Sequence, residues 1–188
     1  MEYKTVYDKY PWLSEMEKNP TDEERMVIED TKKMFELHPG YPEPKPIEVL
    51  NLIMKRGFAE EIARGEKKLE YRIASDHYWD RLMDKDTAAY LEKHREDKFL
   101  WEVGGNILRP VGKIHFHDYN NSWWMDVDVK DEFTFSPDKE GIEMMHNVFD
   151  NHDFDKQYKE LSLMHTKYSH YPLYFVFVLG EILGSFNI

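Results

Sequence analysis

The segment from residue 47 to residue 73 constrains the fold more than any other part of this chain. It begins with an apolar run of strand length, 47–54, passes through a short amphipathic stretch, 58–64, and reaches Gly65, where a helix can end in a left-handed residue. Residues 68–73 then alternate at strand period. The apolar side carries Leu69, Tyr71 and Ile73, and the polar side carries Lys68, Glu70 and Arg72. A strand, a short helix and a two-faced strand in this order predict a sheet packed against helices.

The bulk composition agrees with a folded protein that contains a sheet. Of the 188 residues, 41% are hydrophobic and 15% aromatic, which is enough for a packed core and argues against general disorder. Aromatic enrichment favours a compact fold with strands over a helical bundle. We therefore predict an α+β fold.

Net charge and the absence of cysteine exclude several classes of function. The formal net charge of −12 argues against binding nucleic acid through non-specific electrostatics, although a small basic pocket remains compatible with it. The lack of cysteine excludes disulfides, thiolate metal sites and cysteine nucleophiles. The first residues have no signal-peptide pattern, and no apolar run approaches membrane-spanning length. We expect a cytoplasmic protein without a membrane segment.

The first 46 residues are predicted to form an N-terminal helical extension. Thr21 and Glu24 have the spacing of a capping box, so a helix should begin there and end at 38–40, with an apolar stripe of Met26, Val27, Met34 and Phe35. Prolines at 42, 44 and 46 make the following segment stiff and extended. We place a domain boundary there, so that 47–188 forms the main domain with an insertion at about 130–170.

The remainder of the chain alternates between predicted helices and strands. We expect helices over 86–97, 140–149 and 155–164, a hairpin of 111–117 and 123–129 around a turn at 118–121, and a buried strand over 173–179. Phe133 and Phe135 indicate a further short strand. In the hairpin the apolar side is predicted to carry Ile114, Phe116, Trp123, Met125, Val127 and Val129.

Several of these segments together resemble the ASCH domain, a member of the PUA-like superfamily. The resemblance covers roughly 47–188 apart from the insertion. Its centre is a GxKxxExR pattern made by Gly65, Lys67, Glu70 and Arg72. The other matching residues are Val49 to Leu52, Lys55, Phe58, Ile62, Tyr78, Trp79, Val111 to Tyr119, and Phe175 to Leu183. The form most similar to it is the stand-alone type of bacteria and phages.

The resemblance implies a small mixed β-barrel with capping helices and a cleft beside the GxKxxExR segment. It also implies binding of RNA or a nucleotide-like ligand in that cleft. Some family members hydrolyse modified nucleosides or cleave RNA. In the amidohydrolase members, the lysine that matches Lys67 works with a threonine where this chain has Glu70, and with a later carboxylate.

Lys67, Glu70 and Arg72 are therefore the first candidate site. Two explanations stay open: a Glu–Arg ion pair that braces the sheet, or a site in which the cations hold a phosphate or polarise a carbonyl while Glu70 orients Lys67 or moves a proton. The resemblance selects Lys67 as the cleft lysine, whereas strict alternation with Glu70 and Arg72 would select Lys68.

The other candidates surround this segment. Lys55 and Arg56 precede a helix N-terminus and predict either an anion-binding edge or a solvated turn. Tyr78 and Trp79 are candidates for stacking on a base, as are Trp123 and Trp124, or they belong to the core.

His115 and His117, with Asp126 and Asp128 opposite, have metal-ligand chemistry, but cross-strand pairing is the simpler interpretation and we predict no metal. We read the acidic run 150–155 as a solvated loop.

The sequence thus favours a binding module for RNA or a nucleotide-like ligand, with Lys67 and Glu70 as candidate catalytic residues. Lys55, Arg56, Lys68, Arg72, Tyr78 and Trp79 are the candidate ligand contacts. The alternatives are a hydrolase acting on a modified nucleoside or on RNA, and a protein-interaction factor with no nucleic-acid ligand. Whether the protein is an enzyme stays open, as does its oligomeric state, and we expect no cofactor.

Overall fold

A computed structural model describes residues 3–164 and 172–188. The strands are β1 (Ile47–Ile53), β2 (Leu69–Ile73), β3 (Val111–His117), β4 (Trp124–Phe135) and β5 (Tyr174–Phe186). The helices in these residues are α1 (Val6–Lys9), α2 (Leu13–Met16), α3 (Asp22–Leu37), α4 (Arg56–Ala63), α5 (Asp76–Leu82), α6 (Lys85–Lys93), α7 (Lys98–Gly104), α8 (Lys139–Phe149) and α9 (Asp155–Met164). The fold is α+β. Across the described part of the chain, no helix is both long and apolar enough to cross a bilayer.

The chain divides into two compact units. The first consists of Met1–Lys45 and Met83–Leu108, and the second of Pro46–Leu82 and Arg109–Ile188. The sequence placed a boundary at residue 46, beside this division, but it assigned 83–108 to the second domain. The structure groups that segment with the first unit, where its buried leucines pack against residues of the N-terminal segment.

Helix α3 dominates the first unit and begins at the predicted capping box. The Glu24 amide donates to Thr21 Oγ1 at 3.2 Å, and the Thr21 amide donates to Glu24 Oε2 at 2.7 Å, which confirms that prediction. The predicted apolar stripe is partly wrong, because Met26 is 62% exposed and Val27 is exposed as well. The helix buries Met34, as predicted, and also Ile28, which the predicted stripe did not include.

Those two residues face different partners, which explains the error in the stripe. Ile28 packs with Tyr10 and Leu13 of the preceding turns. Met34 packs with Tyr41, Leu91 and Leu100. The burial of α3 is therefore set by two separate clusters and does not follow one continuous stripe.

The helix predicted over 86–97 ends early, at Lys93, and a separate helix, α7, begins at Lys98. Asp84 caps α6 by accepting from the Thr87 amide at 3.0 Å, and Asp97 caps α7 by accepting from the Leu100 amide at 3.0 Å. The side-chain cap at Asp97 starts a new helix, and α6 has already ended at Lys93 with His94 as its C-cap.

The second unit is built on a five-stranded sheet in the order β1-β3-β4-β5-β2, curled into a half-barrel. Strands β1 and β3 pair in parallel, and the other neighbours pair antiparallel. The predicted hairpin of β3 and β4 is confirmed, and Ile114, Phe116, Met125 and Val127 are fully buried. The sheet leaves β1 and β2 as its edge strands.

Two strands are longer than the sequence predicted. Phe133 and Phe135 form the end of β4 and are not a separate strand, and β5 continues past Leu179 to Phe186. The pairing of β4 with β5 shifts register three times between Asp126 and Asp131. Such bulges bend a strand and increase its twist, which allows one long pair to follow the curl of the sheet.

The first part of β5 is buried on both faces. Phe175 and Phe177 lie on one face and Val176 on the other, and none of the three is more than 1% exposed. Val176 belongs to a cluster with Leu69 and with residues of the predicted insertion, namely Phe135, Ile142, Met145 and Phe154. Helices α8 and α9, within that insertion, have the predicted positions. Residues 165–170 of the insertion lie outside the described residues.

Candidate functional site

A cavity of about 800 Å³ lies where β1 ends, α4 begins, β2 runs and the β3–β4 turn closes. All of these belong to the second unit. Its lining consists of Ile53, Met54, Lys55, Arg56, Phe58, Lys67, Glu70, Tyr71, Arg72, Asp118, Tyr119, Ser122 and Trp123. The cavity thus contains five of the eight predicted site residues, and the volume is in the range of small-ligand sites.

Glu70 is the buried centre of the charged group. Glu70 is 5% exposed, although the alternation of β2 had placed it on the polar face of the strand. Arg72 Nη2 lies 2.8 Å from Glu70 Oε1, and Lys67 Nζ lies 3.5 Å from Glu70 Oε2. Burial raises the pKa of Glu70 above its ordinary value, and the positive charges of Arg72 and Lys67 only partly oppose this. A carboxyl group with a raised pKa can exchange a proton closer to neutral pH than an exposed one.

Arg72 connects the two edge strands of the sheet. Besides Glu70, its guanidinium donates to the Ile53 carbonyl at the end of β1 at 3.1 Å and to the Tyr78 hydroxyl at 3.3 Å. Its Nε is buried and has no hydrogen-bond partner within the described residues. Much of the donor capacity of Arg72 is therefore used inside the protein, which supports a bracing role of the kind that the ion-pair explanation predicted.

Lys67 reaches the cavity because of the way α4 ends. Gly65 has a φ of +72°, which confirms the left-handed helix end. The amides of Glu66 and Lys67 both donate to the Glu61 carbonyl, at 2.9 and 3.2 Å. These bonds fold Lys67 back over the helix end, and its Nζ lies 4.9 Å from the ring centroid of Tyr71 and 5.7 Å from that of Phe58.

Lys68 takes a different position from Lys67. Lys68 is exposed and lines a second cavity of about 660 Å³, which it shares with Lys67, Tyr71 and the 150–154 turn. The Lys68 carbonyl accepts from the Leu179 amide at 2.9 Å and thereby starts the β2–β5 ladder. The alternation that pointed to Lys68 begins only at Leu69, so it does not extend to the preceding turn.

The start of α4 adds two cations at the opposite rim. Lys55 is the N-cap of α4 but makes no side-chain capping bond, and the first turn holds no acidic residue. Arg56 pairs with Glu60 at 3.0 Å. Helices α3 and α8, by contrast, begin with a side-chain cap and carry acidic residues in the first turn. A helix N-terminus without a capping side chain presents its amides and its positive dipole end to an anion.

The aromatic residues at the cavity are mostly not the predicted ones. Tyr78 and Trp79 lie on α5 outside the lining, and the Tyr78 hydroxyl accepts a hydrogen bond from Arg72. Phe58 and Tyr119 line the cavity with exposed rings, and Tyr119 is 85% exposed. Trp123 also lines it but is buried. The i, i+4 spacing of Phe58 with Ile62 had indicated that both pack as the apolar face of a helix. The sequence therefore did not indicate that Phe58 lines a cavity.

Two polar residues of the cavity, Asp118 and Ser122, were not among the candidates. Asp118 accepts from the Ser122 amide at 2.7 Å and also bonds the Ser122 hydroxyl. The hydroxyl bond comes first among the contacts that lower the pKa of Asp118. Because Asp118 closes the β3–β4 turn in this way, the turn holds a fixed negative charge at the cavity rim.

The predicted histidine pair on β3 is engaged with protein groups. His115 Nδ1 bonds Asp126, which Lys113 Nζ also contacts at 2.6 Å, and His117 Nδ1 lies 2.8 Å from the Asp118 carbonyl. Burial alone would raise the pKa of Asp126, but the hydrogen bonds from Lys113 and His115 outweigh it and lower that pKa. His115 also stacks on Trp124, with ring centroids 5.8 Å apart. The cross-strand pairing that the sequence favoured is thus present.

No family model matches the chain, and no curated protein matches it either. The arrangement itself offers anion contacts at Lys55, Lys67 and the start of α4, exposed rings for stacking, and a buried carboxyl group beside Lys67.

Proposed function

We propose that the protein binds an RNA segment or a nucleotide-like ligand in the 800 Å³ cavity. The observation that carries the proposal is the convergence of four cationic side chains and four aromatic rings on one cavity. Cations contact phosphate, and exposed rings stack on bases. The order of strand, short helix and GxKxxExR segment around this cavity supports the further proposal that the half-barrel is an ASCH-type, PUA-like domain.

The charges of the lining suggest where a phosphate binds. Glu70 and Asp118 are the two carboxylates of the lining, set against Lys55, Arg56, Lys67 and Arg72. Arg72 is occupied by Glu70 and by Ile53, and Arg56 is paired with Glu60. Lys55, with the α4 amides beside it, and Lys67 therefore have the most capacity for a ligand anion.

The net charge of the whole chain favours a short ligand. A charge of −12 repels a long polyanion, and salt screens that repulsion only beyond a distance of about 10 Å at 0.1 M ionic strength. A mononucleotide or a few unpaired nucleotides can enter the positive cavity while little of the ligand lies against the acidic surface. We therefore expect single-stranded or mononucleotide ligands to bind better than a duplex.

Fluorescence anisotropy with a labelled single-stranded RNA of mixed sequence, together with competition by nucleoside monophosphates, tests the proposal. Lys67→Ala should weaken binding and reduce the slope of log affinity against log salt by about 0.7, the value for one contact to a single strand. Lys68→Ala is the matched control, since Lys68 lies outside the cavity lining. Arg72→Ala is a poor test, because it also removes the link between the edge strands.

The proposal fails if neither RNA nor mononucleotide binds at low salt, or if Lys67→Ala and Lys68→Ala behave alike. The first result would leave a hydrolase acting on a modified nucleoside and the protein-interaction factor as the remaining alternatives. The second would place any binding elsewhere on the surface.

A hydrolase is a second candidate, and the contact between Lys67 and buried Glu70 is the observation that favours it. Burial raises the pKa of Glu70, which suits proton transfer, and Lys67 can polarise a carbonyl or stabilise developing negative charge. Glu70→Gln should then abolish turnover of an N-acylated nucleoside or an RNA while ligand affinity changes little. Equal turnover by wild type and Glu70→Gln would exclude this role.

A further inference from the structure

The turn between α8 and α9 carries a group of side chains that neither proposal above uses. His146 lies in the last turn of α8, His152 in the turn, and Asp155 at the start of α9. One potential ligand atom from each side chain lies within 4.8 Å of those from the other two. Among the described residues, no other three side chains of His, Asp or Glu come together in this way. We propose that His146, His152 and Asp155 form a binding site for a divalent transition-metal ion such as Zn²⁺.

The carboxylate of Asp155 already brings the two imidazoles together. His146 Nε2 lies 2.6 Å from Asp155 Oδ1, and His152 Nδ1 lies 3.1 Å from Asp155 Oδ2. The two imidazole rings are 4.2 Å apart between centroids. Ligand atoms around a tetrahedral zinc lie about 3.3 Å from one another, given bond lengths of about 2.0–2.1 Å. Small side-chain rotations are sufficient to replace the two hydrogen bonds with metal bonds.

The backbone around these residues is held in place without a metal. Asp150 has a left-handed φ of 49°, and the amides of Asp150 and Asn151 donate to the carbonyls of His146 and Met145, both at 3.1 Å. The Asp155 amide donates to the His152 carbonyl at 3.2 Å. These bonds fix the spacing of the three ligands.

A buried aromatic residue anchors the same turn. Phe154, between His152 and Asp155, is buried, and its ring lies 4.8 Å from that of Tyr71 and 5.0 Å from that of Tyr174. The turn is thus attached to the sheet, and the ligand atoms start close to a binding arrangement.

The ligand set defines the class of ion. Two imidazole nitrogens and one carboxylate suit Zn²⁺ and its first-row neighbours, whereas Mg²⁺ and Ca²⁺ prefer oxygen ligands. The His146, Asp155 and His152 side chains are 33%, 48% and 60% exposed, so an ion can enter directly from solvent and keep a water as its fourth ligand.

A metal here would act on the wall of the second cavity. His152 and Phe154 line that cavity together with Lys67, Lys68 and Tyr71. Joining α8 to α9 through the metal would restrict the 150–154 turn, and with it Asp153, which accepts from the Tyr71 hydroxyl at 3.2 Å. The metal therefore has a structural effect next to Lys67 that is independent of the proposed ligand.

Isothermal titration of the EDTA-treated, dialysed full chain with ZnCl₂, and separately with MgCl₂, tests the site. We expect one Zn²⁺ per chain and no Mg²⁺ heat. His146→Gln, His152→Asn and Asp155→Asn should each weaken zinc binding at least ~10-fold, the lower end of what even outer-shell changes cost. The His115→Gln/His117→Gln double variant is the matched control and should bind zinc as wild type does.

A measurement on the wild-type chain tests the site without relying on variants that could fail to fold. Addition of Zn²⁺ should shift the imidazole nitrogen resonances of His146 and His152 in long-range ¹H–¹⁵N spectra and leave those of His115 in place. Zinc binding that survives the His146 and His152 substitutions, zinc shifts confined to other histidines, or absence of binding would each overturn the proposal. None of these results depends on whether a nucleotide binds.

Discussion

Removal of the Glu70 carboxylate should destabilise the second unit strongly. Glu70 contacts Arg72 at 2.8 Å and Lys67 at 3.5 Å, and only 6% of its side chain is exposed. In the Glu70→Ala variant both cations lose their carboxylate inside the protein. Breaking a buried ion pair in this way costs ~3–5 kcal/mol.

The lower end of that range applies here. Arg72 keeps its bonds to Ile53 and Tyr78, and the side chains of Lys67 and Arg72 are 16% and 20% exposed, so water can partly replace the carboxylate. We expect a loss of about 3 kcal/mol in the free energy of unfolding. With an m-value of about 1.5 kcal/mol per molar urea, the midpoint should fall by ~2 M.

Urea unfolding followed by tryptophan fluorescence measures this loss. A background in which Trp12 and Trp101 are replaced by phenylalanine restricts the signal to the second unit, because Trp79, Trp123 and Trp124 all belong to it.

Glu66→Ala is the control for the urea experiment. Glu66 pairs with Arg64 in the same loop, but its side chain is 58% exposed, so the midpoint should not move. A loss below about 1 kcal/mol for Glu70→Ala would refute the reasoning, because it would show that the pair is solvated and not buried.

Three further predictions address pH, backbone and packing. The pKa of Glu70 is raised above the ordinary value of 4.5 in the folded state, so the folded protein binds this proton more tightly than the unfolded chain does. The part of the stability that comes from this proton uptake is complete below pH 4.5 and is lost as pH rises through the raised pKa. The difference in urea midpoint between wild type and Glu70→Gln should therefore decrease as pH rises above 4.5. A difference that stays constant or increases with pH would contradict this. Gly65→Ala should lower the free energy of unfolding by ~1–2 kcal/mol, because the φ of +72° is unfavourable for alanine even though nothing lies within 4 Å of the added Cβ. Gly65→Asn should cost less in the same urea assay. Gly104→Ala should lower the free energy of unfolding of the first unit by ~1–3 kcal/mol, since the new Cβ would lie 2.7 Å from Met34 Cε and 3.1 Å from Tyr41 Cζ. An unchanged urea midpoint in the fluorescence of Trp12 and Trp101, which lie in that unit, would refute this.

Local signals in the sequence predicted the elements that depend on local chemistry. The capping box of Thr21 and Glu24 fixes the start of α3, and Gly65 takes the left-handed conformation that ends α4. The β3–β4 hairpin follows from alternation, because each strand has one buried face. In these cases the residues that determine the structure are close together in the chain.

Other features depend on distant partners, and the sequence pattern does not contain them. Glu70 is buried beside Arg72, which also bonds the end of β1, although the position of Glu70 in the alternation is that of a polar face. Phe58 and Tyr119 meet at the cavity only after the sheet curls. The choice of Lys67 came from the family resemblance, and the bonds to the Glu61 carbonyl supply its physical reason.

The group on the α8–α9 turn illustrates a signal that was present but not used. His146, His152 and Asp155 are separated by five and two residues. His152 and Asp155 lie in the run 150–155 that was interpreted as a solvated loop, and His146 lies in the helix predicted over 140–149. The left-handed turn at Asp150, the buried Phe154 and the hydrogen bonds of Asp155 bring the three together. Spacing alone does not indicate this, because the turn could leave them on different sides.

The discontinuity of the first unit determines how the protein can be shortened. A chain that starts at residue 46 would retain 83–108 while losing Met34 and Tyr41, so the buried Leu91 and Leu100 would face solvent and favour aggregation. The two ends of the intervening segment meet, however, since the Arg109 amide donates to the Leu82 carbonyl at 2.7 Å. A short glycine-containing turn from Leu82 to Arg109 can therefore replace 83–108, and the half-barrel becomes one continuous chain that can be tested on its own.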